Sequence, residues 1–218
     1  MKLKCNHSAT IQVSGKFEES GKKMPEIELL APAGNLNKLK TVLFFGADAC
    51  YISGGFFGLR AAAENAGFEE LCEGILYAHK MGKKVYVATN IVARNADIKL
   101  FPEFIKQVKL AGADAVIITD PGLFQATKDY APGLEIHIST QANVINYESC
   151  KFFYAQGAKR IVLARELSLE EIYEIRKNTP PELELECFVH GAMCVSYSGR
   201  CLLYYLRLHF HRRHFVLS

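Results

Sequence analysis

Three cysteines recur at seven-residue intervals near the carboxyl end, Cys187, Cys194 and Cys201, with His190 between the first two. Thiolates are soft ligands and an iron–sulfur cubane takes four of them, so this run is a candidate cluster site. The same residues suggest a second chemistry, with Cys194 as a thiolate nucleophile and His190 as its base. That one also needs an orienting third group and an oxyanion hole, which nearness in sequence does not supply. A purely structural role for Cys194 and Cys201 is the plain alternative to both. On a straight helix Cys194 and Cys201 would stand about 10.5 Å apart, awkward for one cubane. Ser198-Gly199 is therefore expected to break the segment and fold Cys201 back. Cys187 alternates with Glu186, Phe188 and His190, which are expected to face inward while Cys187 and Val189 point into a helix layer.

Such groups need a scaffold that collects them. From Ile27 onward short apolar runs alternate with amphipathic stretches, and the runs begin near Ile27, Asp48, Lys84, Asp114, Glu135, Arg160 and Glu184. The pattern predicts seven strands with helices between them. An internal repeat supports it: Gly46-Ala47-Asp48-Ala49 returns as Gly112-Ala113-Asp114-Ala115 and, more loosely, as Gly157-Ala158-Lys159-Arg160. Each glycine suits the left-handed residue that closes a helix, and a strand follows. Strand, helix, glycine, strand is the grammar of parallel βαβ units.

An open doubly wound sheet and a closed barrel share that grammar, and strand polarity separates them. In Leu134-Glu135-Ile136-His137-Ile138-Ser139-Thr140-Gln141 one face is apolar and the other polar, whereas a central strand of a doubly wound sheet would be apolar throughout. The expected fold class is α/β, a (β/α)8 TIM-like barrel with Glu28, Glu135 and Glu186 as inward carboxylates. It is expected to be incomplete, with seven strands present and an open edge, since a full barrel takes about 250 residues.

In a barrel the chemistry sits where strands end. Arg60, Asn90, Asp120, Gln141, Arg165, Glu166 and His190 are therefore expected around one mouth, enough to orient an anionic or amide-bearing substrate. Arg60 follows a glycine-rich stretch, Ser53-Gly54-Gly55-Phe56-Phe57-Gly58, that matches neither a dinucleotide fingerprint nor a Walker loop. Other polar residues read as helix N-caps: Asn35, Asp97 and Ser168.

Composition bounds the rest. At 218 residues and 50% hydrophobic the chain can bury one substantial core, and a net charge of +3 announces no nucleic-acid partner by itself. No aromatic-rich basic stripe marks single-stranded RNA recognition. Seven cysteines, an odd number, argue against a disulfide framework. No apolar run suits a membrane span or a signal peptide, so the chain is expected in the cytoplasm. Residues 1–24 are lysine-rich and read as a disordered extension, with Met24 a candidate start. Residues 25–203 read as the barrel domain. Residues 204–218 read as an atypical, frame-shifted or truncated end whose His209, His211 and His214 lack a ligand spacing.

The stretch from Glu186 to Cys201 resembles the signature of peptidase family U32, the collagenase-like proteases. Glu186, Phe188, Gly191, Ala192, Met193, Cys194, Gly199, Cys201 and Leu203 match, while Tyr204 replaces a serine. Leu29-Leu30-Ala31-Pro32-Ala33-Gly34, Gly46-Ala47-Asp48-Ala49 and Leu163-Ala164-Arg165-Glu166-Leu167-Ser168 extend the likeness over residues 25–203. The resemblance, nearest to the tRNA 5-hydroxyuridine branch, implies an oxygen-independent RNA hydroxylase. It also implies a [4Fe-4S] cluster, of which Cys194 and Cys201 would be two ligands, and prephenate as co-substrate. Within that frame His190, Glu186 and Asp120 are the candidate catalytic groups, and Arg60, Asn90, Gln141, Arg165 and Glu166 the candidate substrate-binding ones. The rival expectations are a cysteine peptidase and a truncated subunit that binds RNA or a protein partner. With two cluster thiolates the chain alone is expected to hold no stable cluster.

Overall fold

The computed structural model describes residues 9–13, 27–53, 57–58, 67–191 and 194–199. Eight strands close into a barrel: β1 (Ala9–Val13), β2 (Ile27–Ala33), β3 (Ala49–Ser53), β4 (Lys84–Thr89), β5 (Ala115–Ile118), β6 (Glu135–Ile138), β7 (Arg160–Val162) and β8 (Glu184–His190). Strands β2 to β8 are parallel neighbours in chain order, the seven strands anticipated from the sequence. Among the described residues six α-helices stand outside them: α1 (Leu36–Phe44), α2 (Phe68–Lys80), α3 (Asn95–Leu110), α4 (Pro121–Tyr130), α5 (Tyr147–Gln156) and α6 (Leu169–Lys177).

The eighth place is filled differently from expectation. β1 lies antiparallel between β2 and β8, with Thr10 opposite both Leu30 and Phe188. The reading of residues 1–24 as disordered therefore fails for Ala9–Val13, and so does the expected open edge. Five alternating residues make a weak signal alone, but two unpaired strand edges offer their backbone groups a complete set of partners. Near the mouth the register skips a residue, Thr10 pairing with Phe188 and Ala9 with His190, so β8 bulges at Val189. This is why Val189 is more than half exposed instead of packing among the helices, as the alternation suggested.

The internal repeat has a mechanical meaning. Gly46, Gly112 and Gly157 all take positive φ at the end of a helix. In the first copy Asp48 N–H donates to Leu29 O at 2.9 Å, and Leu29 N–H donates back to Asp48 Oδ2 at 3.0 Å. The second copy repeats the exchange between Asp114 and Val85, at 3.0 and 2.8 Å. In the third, Lys159 N–H donates to Ile136 O, but a lysine cannot accept the return bond. Two aspartates thus pin each returning chain to the foot of the preceding strand. Lys83, donating to Asp48 at 2.8 Å, helps hold that carboxyl below its usual pKa.

Helix starts follow local chemistry. Asn35 accepts from Lys38 N–H, and Ser168 forms a reciprocal capping box with Glu171. Asp97 caps from within the first turn of α3, accepting Arg94 N–H at 2.8 Å, three positions beyond the N-cap Arg94. The main core lies between sheet and helices, where Ile52, Val87, Ile118 and Leu185 meet Leu39, Ile75, Phe101 and Ile175. Cys187 packs on this outer core, as its alternation predicted. Inside the barrel Leu30, Ala49, Tyr86, Ala115 and Ile117 form a second, smaller cluster. Among the described residues no helix is long and apolar enough to cross a membrane.

Candidate functional site

Below the inner cluster, at the end where strands begin, the barrel holds a buried charge network. Arg160, 2% exposed, reaches Glu28 at 2.9 Å, Glu184 at 2.8 Å and Glu186 at 3.3 Å. Tyr86 Oη donates to Glu28 at 2.9 Å, and its ring lies 4.9 Å beneath the Arg160 guanidinium. Burial works against the Arg160 charge, but Tyr86, Glu186 and Glu28 outweigh it and raise the pKa. His137 stands edge-on to Tyr86, fully buried, with Glu135 3.7 Å from its Nε2. The inward carboxylates at Glu28 and Glu186 were foreseen, and the Arg160 counter-charge was not. Glu186, a candidate catalytic group, is placed within this network, below the mouth.

At the opposite end, the strand termini bring Asn90, Asp120, Gln141, Arg165 and His190 to one rim, as expected of parallel strands. Arg60 and Cys201 lie outside the described residues, as do Ala192 and Met193. Asp120 is the N-cap of α4: its Oδ1 accepts Gly122 N–H at 2.7 Å and Leu123 N–H at 3.1 Å. Gln141 is buried in a short 3-10 turn and accepts from Thr119 Oγ1 at 3.4 Å. Asn90 is half-buried just beyond β4.

Arg165, Phe188, Val189, His190 and Gly191 line a cleft of about 270 Å³. The Arg165 guanidinium lies 3.9 Å over the Phe188 ring, a flat cation fixed on an aromatic face. His190 is exposed beside it. This face was not anticipated as a pair, although the sequence turned Phe188 inward and set Arg165 at the mouth. Both halves were visible, and only the fold shows them in contact.

Glu166, expected to bind substrate, accepts hydrogen bonds from Ser198 N–H at 2.5 Å and Ser198 Oγ at 3.3 Å. Ser198 Oγ also contacts Asn143 Oδ1. Asn143 and Ser198 have φ of 66° and 50°, and are the non-glycine residues with positive φ among those described. The break foreseen at Ser198-Gly199 is thus present, with Ser198 as its left-handed residue. Cys194 is half-buried just ahead of this turn, its Sγ accepting Ser196 N–H at 3.4 Å. No group of three or more potential metal ligands forms among the described residues. Cys194 nevertheless suits a soft metal in donor type and partial access, whereas burial pushes Cys50 and Cys150 up to about 12 and Cys187 to about 11.

Fold and site together define a TIM-like (β/α) barrel with a polar mouth and a cysteine-bearing segment after its last strand. The chain belongs to peptidase family U32, whose model matches residues 34–209. It is 49% identical over 181 residues to the tRNA hydroxylation protein P of Helicobacter pylori (strain ATCC 700392 / 26695), covering 83% of this chain and 43% of that one. Against the tRNA hydroxylation protein P of Escherichia coli (strain K12) it is 47% identical over 176 residues, covering 81% and 39%. The chain therefore spans about two fifths of the length of the curated relatives it matches. A solved U32 peptidase structure shares the fold, with a TM-score of 0.59 at 20% identity over 78% of this chain and 70% of that one.

Proposed function

We propose that the chain forms the barrel of an oxygen-independent hydroxylase acting on tRNA in the cytoplasm. In this reading Cys194 and Cys201 hold part of a [4Fe-4S] cluster and prephenate is the co-substrate. The observation that carries it is the 47–49% identity to proteins named for tRNA hydroxylation, along the segment that builds the mouth. The Arg165–Phe188 face gives a nucleobase or a ring carboxylate a flat cationic surface to lie on. His190, on the wall of the same cleft, is the group placed to give or take a proton there. Asn90 and Gln141 add amide hydrogen bonding at the rim, and Asp120 fixes the start of α4 beside it. Glu186 keeps Arg160 neutralised inside the barrel. A bound cluster supplies electron transfer. Two thiolates supply half of a cubane's protein ligation, and the reading includes further cysteines, or a partner subunit, that complete it.

A chimera tests the proposal. Residues 25–203 replace the matching segment of the Escherichia coli relative, in a host lacking its own tRNA hydroxylation, and tRNA nucleosides are read by mass spectrometry. The chimera is expected to restore the added oxygen, and its Cys194→Ser and Arg165→Ala versions to lose it. A soluble, iron-loaded chimera that leaves tRNA unmodified overturns the reading. So does peptide hydrolysis abolished by thiol alkylation, which would favour a peptidase.

A further inference from the structure

Three successive strand-end loops meet at one small side chain. Asn143 comes from the loop after β6, Glu166 from the loop after β7 and Ser198 from the segment after β8. Ser198 is 1% exposed, whereas the Glu166 that grips it is exposed. A carboxylate that spans two loops to take both a backbone N–H and a hydroxyl from one residue is a fastening, and charge-assisted bonds of this kind are the strong ones. The third contact, to Asn143, ties down the other side.

The backbone points the same way. Asn tolerates the left-handed region, but serine has less to gain there, and such conformations persist only where surroundings over-determine them. Here the two left-handed residues are each other's hydrogen-bond partners. The 3-10 turn Thr140–Ala142 that ends at Asn143 packs against the one at Tyr197–Gly199. The chain direction after β8 is set by this contact, since Ser198 cannot continue a helix from Cys194.

We infer that Glu166 and Asn143 are positioning residues that act through Ser198 to hold Cys194 in place at the barrel mouth. Glu166 is thereby a residue of the mouth whose carboxylate is engaged by Ser198. Cys194 needs a fixed location whatever thiol chemistry it serves. Its role as a cluster ligand rests on the function proposed above, but the clamp does not.

The test uses the full 218-residue chain and reads thiol alkylation by iodoacetamide, residue by residue, by mass spectrometry. Cys72, half-buried on α2, which packs against α1 and β4, is the internal standard. In Glu166→Ala and Ser198→Ala, Cys194 is expected to react on the order of ten-fold faster relative to Cys72, the factor expected when a charge-assisted bond no longer holds a segment closed. Glu166→Gln keeps an amide oxygen for Ser198 N–H and is expected to restore most of the protection. A Cys194 rate unchanged in Glu166→Ala overturns the inference. Equal acceleration of Cys72 and Cys194 also overturns it, because that pattern means general loosening. Since no cluster or RNA takes part, failure of the hydroxylase reading leaves these rates unaffected.

Discussion

His137 illustrates how a single side chain can couple the barrel to solution conditions. Burial holds its pKa down to about 4, against the pull of Glu135 and with the repulsion of Arg160. The unfolded chain binds this proton near pH 6.5 and the folded barrel only near 4, so between those values the unfolded state binds more protons. Stability from this residue is fully present above the upper value and lost as pH falls through the window, by on the order of 3 kcal/mol. His137→Phe keeps a ring against Tyr86 and is expected to flatten that part of the stability–pH curve in thermal melts. A slope identical to that of the unaltered chain would refute the assignment. Strand alternation alone turned His137 to the inward, polar face. It could not give the neighbours, because the Glu28 and Arg160 that share its lumen lie 132 residues apart. For the same reason the Arg165–Phe188 face went unseen as a unit: loop and strand meet only once the barrel is closed.

At the scale of elements the repeat carries most of the information. Strand starts read from apolar runs fall within a residue of those observed, and at β3, β5 and β7 the run follows a helix-ending glycine and an aspartate or its substitute. What alternation could not reveal is that the aspartates are fasteners. Asp48→Ala and Asp114→Ala each leave a strand N–H without its return bond, and each is expected to cost about 1–3 kcal/mol in chemical denaturation. Lys159→Ala, at the third repeat position, removes no such bond and is expected to cost well under 1 kcal/mol. Equal losses at all three positions would show that the exchange of hydrogen bonds is not what stabilises the repeat. Strand β1 marks the limit of this kind of reading. Ala9–Val13 carries neither the glycine nor the aspartate signal, and its partners are two edges distant in sequence.

For the molecule as a whole, the closing of the barrel depends on that short antiparallel strand. Ile11→Pro removes one backbone donor from a strand paired on both sides. Faster amide hydrogen exchange along β2 and β8 is expected, with lowered solubility as their edges open. Unchanged exchange in both strands would mean that β1 contributes little to closure. The direction of β1 matters beyond stability. Ala9 stands opposite His190, so the polypeptide enters the barrel at the end where the cleft lies and runs away from it. A fluorescent reporter joined directly before Ala9 is therefore delivered to the rim of the cleft, where it competes with any bulky ligand for the approach to Arg165 and His190.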